Sequence, residues 1–366
     1  MILRRISISN YKNIRSAAAE LSPKVNCLIG SNGSGKTNFL DAVHYLSLCR
    51  SAFAHNDAFS ITHGEDYMVV CGGYEAPDGS PEEVSCGLKR GQKKRLRRNG
   101  KEYKRLSQHI GLAPVVFSSP ADISLVEGAG EERRRFADTV VSQCDGRYIA
   151  ELARYGKALQ QRNALLRGEA EPDPGLMDVL EEEMAAAGEY VCGKRAEFAG
   201  RLAPVFRRVY SEIGAPGEDV GVEYVSHSAR GPLLETIRAG RAKDRIVGHS
   251  LHGPHRDDLE MSLGGYPARR IGSQGQLKTF VTALRLAQFS FLAEASGGNT
   301  PIMLLDDIFD KLDAGRVERI VAMVAADGYG QIFITDTNRH HIDTILQGTA
   351  GQHKLFAVDG GEVTEV

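Results

Sequence analysis

Eight residues near the N-terminus, Gly30-Ser31-Asn32-Gly33-Ser34-Gly35-Lys36-Thr37, fit the spacing G-x-x-x-x-G-K-[ST]. The chemistry this spacing supports is anion binding. Gly30, Gly33 and Gly35 let the backbone wrap a phosphate and point N–H groups inward. A helix starting at the same place adds the positive end of its dipole. Lys36 would reach the β- and γ-phosphates of a nucleoside triphosphate, and Thr37 would hold Mg²⁺. Far along the chain an apolar run, Pro301 to Leu305, ends in Asp306 and Asp307. Beside a phosphate loop, Asp306 would complete the Mg²⁺ site, usually through water. Asp307 is placed to orient or deprotonate an attacking water. With Lys36 it forms the expected catalytic set. An isolated Asp pair at a strand end would merely cap the next helix; a phosphate loop in the same chain favours the metal reading.

The elements that must position these groups follow from periodicity. Residues 2–11 alternate apolar and polar side chains, as a strand does. Residues 24–30 are a short apolar run ending at glycine, a buried strand. From Thr37 to Leu48 the spacing of Phe39, Leu40, Val43 and Leu46 is helical. Strand, glycine loop and helix are the context a phosphate loop requires. From about Val126 the chain becomes helix-rich, through "YIAELARYGKALQQRNALLRG" and a long mixed-charge segment ending near residue 213. Strand signals return at "DVGVEYVSH". The C-terminal part alternates helix and strand, with "PIMLLDD" and "QIFITD" as strands.

A second glycine-containing helix start, Ser273-Gln274-Gly275-Gln276, opens the amphipathic stretch carrying Phe280, Leu284, Ala287 and Phe291. It resembles the signature of ABC-type ATPases. Ser273 Oγ and the N–H groups of Gly275 and Gln276 would make a second anion cradle. In that class the cradle closes on the γ-phosphate from another subunit, so ATP joins two chains head to tail. Asp313, after "DIFDKL", fits a short loop crossing the same interface. The simpler role of "SQGQ" is an ordinary helix cap by Ser273.

These segments together resemble the RecF family of bacterial recombination and repair proteins, relatives of the SMC-type ATPases. The similarity runs from end to end. It rests on "NYKNIR", "LIGSNGSGKTNFLDAVHYLS", "VVFSSPADISLVEGAGEERRRFAD", "YGKALQQRNALL", "GPHRDDLEM", "GSQGQLKT" and "LLDDIFDKLD". The resemblance implies an α/β fold: an ABC-type P-loop ATPase head, a mixed sheet flanked by helices, with an inserted and mostly helical arm. The expected division is 1–122 and 246–366 for the head and 123–245 for the arm. It further implies ATP-dependent homodimerisation, slow DNA-stimulated ATP hydrolysis, and DNA binding at duplex or duplex–single-strand junctions. It also implies partnership with RecR and RecO in loading RecA. Two departures from transporter-type ATPases stand out: Gln274 replaces a Gly and Asp307 replaces a Glu. Asp336 stands where many ABC proteins have a phosphate-sensing His, and "SSPAD" occupies the region of the Mg²⁺-binding Gln.

Composition narrows the partners. The 366 residues carry a formal net charge of −2, so no global field draws the chain to nucleic acid and any polyanion site must be local. One local excess exists. The segment 89–105 holds Lys93, Lys94, Arg95, Arg97, Arg98 and Lys101 among its cations, and Glu102 is its only acid. It could bind phosphates without reading sequence, or be a solvated hairpin guarding an exposed edge. Asn99-Gly100 sits at its centre as a two-residue turn signal. No apolar run is long enough to cross a bilayer. The six Cys form no C-x-x-C pair and are expected to be reduced thiols in a cytoplasm. An alternative with the same loop is the soluble nucleotide-binding subunit of an ABC transporter. The basic segment and the interrupted head count against it.

Overall fold

Four strands consist of residues too apolar to face water on either side: Val25–Ile29, Val115–Ser118, Ile302–Asp306 and Ile332–Asp336. They lie parallel within one sheet, the arrangement in which both faces are buried. The strand order is Glu362–Glu365, His353–Asp359, Val25–Ile29, Ile332–Asp336, Ile302–Asp306, Val115–Ser118; only the first pair is antiparallel. The register sets Asp306 opposite Thr335 and Asp336 opposite Ile29. Strand ends that carry chemistry are thereby aligned at the carboxyl edge of the sheet, where ligands of open α/β sheets bind. The computed structural model describes residues 1–54, 56–214, 217–226, 231–308, 314–325, 328–339, 342–343 and 352–366.

A second sheet is wholly antiparallel, in the order Ile14–Glu20, Ile2–Tyr11, Tyr67–Glu75, Pro81–Lys89, Arg95–Arg98, Lys101–Glu102. Its residues alternate between buried and open, so one face meets the core. Helix Lys36–Leu48 packs into that same core. Phe39, Leu40, Val43 and Leu46 join Ile6, Val70 and Cys86 of the antiparallel sheet and Leu28, Leu304 and Phe333 of the parallel one. Covered in this way, the helix buries Ala42, Tyr45 and Leu48 as well. At the far edge Asn99 (φ 49°) and Gly100 (φ 76°) turn the chain between Arg98 and Lys101, as the Asn-Gly pair predicts.

The chain divides into two compact units. One comprises Met1–Asp122, Glu212–Gly214 and Lys278–Val366; the other comprises Ile123–Ser211 and Ala215–Leu277. The expected arm spans 123–245, whereas the second unit runs on to Leu277. Strand Asp258–Leu263 pairs with Val220–Val225 and with Tyr266–Pro267, so residues 246–277 belong with the second unit. That unit is helical apart from this three-stranded sheet, with helices Gly130–Cys144, Gly146–Arg167, Pro174–Ile213 and Leu233–Val247.

Two family-typical strings meet inside the second unit. Arg162 of "QRNALL" is fully buried between Glu181 (2.9 Å) and Asp244 (2.7 Å), both also inaccessible. Asn163 Oδ1 accepts from Ser250 N–H and Oγ, each at 2.8 Å. Tyr155 Oη and His255 Nδ1, the latter in "GPHRDDL", lie 2.6 Å apart. Arg195 donates to Pro254 O at 2.6 Å. The strings therefore specify a buried polar lattice. Arg162→Ala leaves carboxylates short of their counter-charge and is expected to destabilise the unit by about 3–5 kcal/mol. Urea denaturation of the variant against the native chain measures this.

Candidate nucleotide site

The loop after Val25–Ile29 is built by two glycines in left-handed or related backbone, Gly33 (φ 80°) and Gly35 (φ 120°). Ser31, Asn32 and Gly33 are exposed, whereas Ser34, Gly35 and Lys36 are buried. Lys36 Nζ folds over the loop and donates to the carbonyls of Gly30 (2.7 Å) and Ser31 (2.9 Å). Burial pushes its ammonium below its ordinary value, against the pull of Asp307, Asp306 and Asp336. Ser34 Oγ is buried with no hydrogen-bond partner among the described residues, a donor that a phosphate oxygen would satisfy.

Thr37 Oγ1 lies 2.9 Å from each carboxylate oxygen of Asp306, 269 residues away. Thr335 Oγ1 donates to Asp306 Oδ1 at 2.8 Å from the strand between them. A hydroxyl facing a strand-end carboxylate is the oxygen donor set expected around Mg²⁺, so the residues fit that ion and a triphosphate. Asp307 follows in left-handed backbone (φ 49°), and its N–H is held by Thr335 Oγ1 at 3.0 Å. Asp336 accepts from Asn338 N–H at 2.7 Å and is buried.

Burial raises the Asp306 carboxyl above its ordinary value, the Thr335 and Thr37 hydroxyls pull it down, and Asp307 pushes it up again. A carboxyl raised on folding lends stability below its unfolded pKa, and that stability is lost as pH rises through the folded value. Asp306→Asn removes this loss. At neutral pH and without nucleotide it should melt higher than the native chain, by about 2 °C for each kcal/mol relieved. The same variant should lose the Mg²⁺-dependent part of ATP affinity. Paired melts and titrations with and without Mg²⁺ test both halves.

The loop and its helix are braced from behind. Asp41 is fully buried; it accepts from Tyr11 Oη and Ser51 Oγ at 2.7 Å each and pairs with Lys12 at 2.6 Å. Although burial opposes it, Lys12 and His44 hold the Asp41 carboxyl below its ordinary value. Asn13 reaches the loop itself, and its side chain also accepts from Asn38 Nδ2 at 2.7 Å. Sequence reasoning gave no role to Asp41, Asn13 or Thr335. Asn13 lies in "NYKNIR", Asp41 in "LIGSNGSGKTNFLDAVHYLS" and Thr335 in "QIFITD", but none of these strings says what its residue meets.

Ser273 and Gln276 form a reciprocal capping box at the start of helix Gln274–Ala295: Ser273 N–H donates to Gln276 Oε1 (2.8 Å), and Gln276 N–H donates to Ser273 Oγ (3.3 Å). Gln276 Nε2 also donates to Glu218 Oε1 at 2.7 Å. The capping role read for Ser273 is thus present. The Gln276 N–H, counted for a second anion cradle, is already engaged. Ser273 Oγ accepts in the box and keeps its own proton to donate. Ser273 and Gln274 are exposed, and Gly275 is partly so. All four residues lie in the second unit. Asp313 lies outside the described residues.

The RecF/RecN/SMC N terminal domain family matches residues 2–69. A DNA replication and repair protein RecF from Phocaeicola vulgatus is 56% identical over 100% of this chain and 98% of its own length. The chain belongs to the RecF family. The namesake from Porphyromonas gingivalis W83 is 47% identical over 99% of this chain and 100% of its own. A structure of the recombination mediator protein RecF-ATP in the RecFOR pathway superposes with a TM-score of 0.88 at 26% identity, covering 100% of this chain and 97% of that one. An SMC head bound to the C-winged helix domain of ScpA shares the fold, with a TM-score of 0.57 at 15% identity, covering 100% of this chain and 97% of that one.

In this RecF-family chain the basic hairpin separates into two sets. Lys93, Arg95, Arg97 and Lys101 are exposed. Lys94 is turned inward: its side chain is 8% exposed, pairs with Asp57 at 2.8 Å and lies 4.7 Å from the Tyr45 ring centre. Of the six cations expected to meet DNA, this one has its charge engaged within the fold. Arg98 is drawn to Glu82, with Nε 2.8 Å from the carboxylate. The cluster "EERRRFAD" is structural. Arg133 makes a two-pronged pair with Asp258 at 2.7 Å, Arg134 donates to Asp257 O, and Arg135 faces Glu131 and Glu132. Arg256 directs a guanidinium N–H to Ser250 O at 3.4 Å. Among the described residues no helix is long and apolar enough to cross a membrane.

Proposed function

We propose that this chain is an ATP-gated DNA clamp of recombinational repair. The observation that carries the reading is the meeting of Thr37 with Asp306 beside Lys36 and the glycine loop. Lys36 would bind the β- and γ-phosphates, and the loop would orient them. Thr37, with Asp306 through water, would hold Mg²⁺, whose contribution when bound is to neutralise phosphate charge. Ser273–Gln276 of a second copy would close on the γ-phosphate, so that ATP binding makes a head-to-tail dimer. Asp307 would orient the attacking water, and its short side chain suits slow hydrolysis that resets the clamp. Full-length similarity to proteins described as DNA replication and repair protein RecF supports the repair role. Similarity to a RecF-ATP structure in the RecFOR pathway supports the nucleotide and partnership with RecO and RecR, which would lead to RecA loading.

The exposed cations Lys93, Arg95, Arg97 and Lys101 would bind the DNA backbone. Fluorescence anisotropy with labelled duplex, gapped and single-stranded DNA tests the clamp: binding should be salt-sensitive and strengthened by ATP. Neutralising any one of these four side chains that pairs with a phosphate should flatten the salt dependence of log K by about 0.9. Duplex binding that ignores both salt and ATP would refute the proposal.

A further inference from the structure

The phosphate loop is held from outside by two segments distant in sequence. Asn13 Nδ2 is shared between the carbonyls of Gly33 (3.4 Å) and Ser34 (3.3 Å). Gly361 N–H donates to the same Ser34 carbonyl at 2.8 Å. Gly361 (φ 90°) and Gly360 (φ 55°) form the turn between strands His353–Asp359 and Glu362–Glu365. The packing leaves no slack. A Cβ at Gly361 would lie 2.3 Å from Asn13 O, and one at Gly35 would lie 3.1 Å from both Asn13 amide atoms. At the start of the loop, a Cβ at Gly30 would lie 2.2 Å from Val358 O of the same C-terminal hairpin.

In a trans peptide the C=O and N–H point opposite ways. A Ser34 carbonyl held outward by Asn13 and Gly361 therefore turns the Gly35 N–H to the opposite side. We propose that Asn13 and the Gly360–Gly361 turn are positioning residues for the phosphate loop, fixing its peptide planes in the form that accepts a triphosphate. This rests on the reading of Gly30–Thr37 as the nucleotide site. In this role Asn13 acts through the Gly33 and Ser34 carbonyls.

Calorimetric titration of the full chain with ATP and with inorganic triphosphate, alongside melts without ligand, tests the role. Asn13→Ala should weaken both ligands about tenfold, because the loop contacts phosphates and not the base. Asn13→Asp keeps an acceptor for Asn38 but cannot donate to the carbonyls and adds a negative charge beside the loop, so it should weaken both ligands at least as much as Asn13→Ala. Melting temperatures should stay within about 2 °C of native. Native-like affinity in Asn13→Asp would overturn the proposal, as would weakening confined to ATP or a loss explained by a lower melting temperature. Lys36→Ala separates the two levels. If it binds ATP as the native chain does, the nucleotide site itself is misplaced. If it fails to bind while both Asn13 variants bind normally, only the positioning role falls.

Discussion

Lys36→Ala is expected to weaken ATP binding about 100-fold while leaving the nucleotide-free chain as stable as before. The first half follows from charge. A lysine freed from the Gly30 and Ser31 carbonyls offers up to three N–H donors to phosphate oxygens. Charge-assisted bonds contribute about 1.5–3 kcal/mol each, and two of them account for the loss. The second half follows from burial. A base lowered on folding lends stability above its unfolded pKa, and that stability is lost as pH falls through the folded value. At neutral pH the buried ammonium of Lys36 is thus no asset to the empty fold. In melting experiments the native chain at 100 times its Kd should gain about 2.7 kcal/mol, roughly 5 °C or more. Lys36→Ala should gain almost nothing. A variant that keeps the full ATP-dependent shift would remove the loop from the mechanism.

The parts of this site that were legible in the sequence are those coded locally. Gly30 to Thr37 lie in one octapeptide, and the strand before and helix after them carry their own periodicity. Asp306 and Asp307 announce themselves because a parallel strand is apolar on both faces, so its first charges mark its end. Asn99-Gly100 was readable for the same local reason. What could not be read depends on pairing over long distances. Thr335 matters only because the register sets its strand between Thr37 and Asp306. Asn13 and Gly361 meet the loop from opposite ends of the chain. The second unit runs to Leu277 because Asp258–Leu263 finds Val220–Val225, a partner that periodicity does not name. Lys94 looked like its neighbours in a basic run. Its inward turn toward Asp57 and Tyr45 depends on alternation along a strand edge and on a helix nearly fifty residues earlier.

Ser273→Arg is expected to leave ATP binding by the single chain within about twofold and to abolish ATP-dependent dimerisation and hydrolysis. The capping box sets what each substitution changes. Ser273 Oγ accepts from Gln276 N–H and presents its remaining proton from an exposed helix start. On the proposed reading Gly30–Thr37 of a single chain would hold the nucleotide, so altering the second unit should leave that step untouched. Arginine ends the cap and sets a bulky cation at the positive end of a helix, which costs the fold about 1 kcal/mol. That local cost alone could disturb the surface, so a second variant is needed. Ser273→Asp preserves the cap and suits the dipole, yet brings a negative charge against the γ-phosphate of a partner copy. It should melt at or above the native temperature and still fail to dimerise with ATP, as read by light scattering. Dimerisation that survives in Ser273→Asp would assign Ser273 to helix capping alone. Loss of nucleotide binding by the single chain in either variant would show that one molecule, not two, completes the site. Dimer loss with intact ATP binding in both variants is the result a shared site predicts, because the cap is lost in one variant and kept in the other.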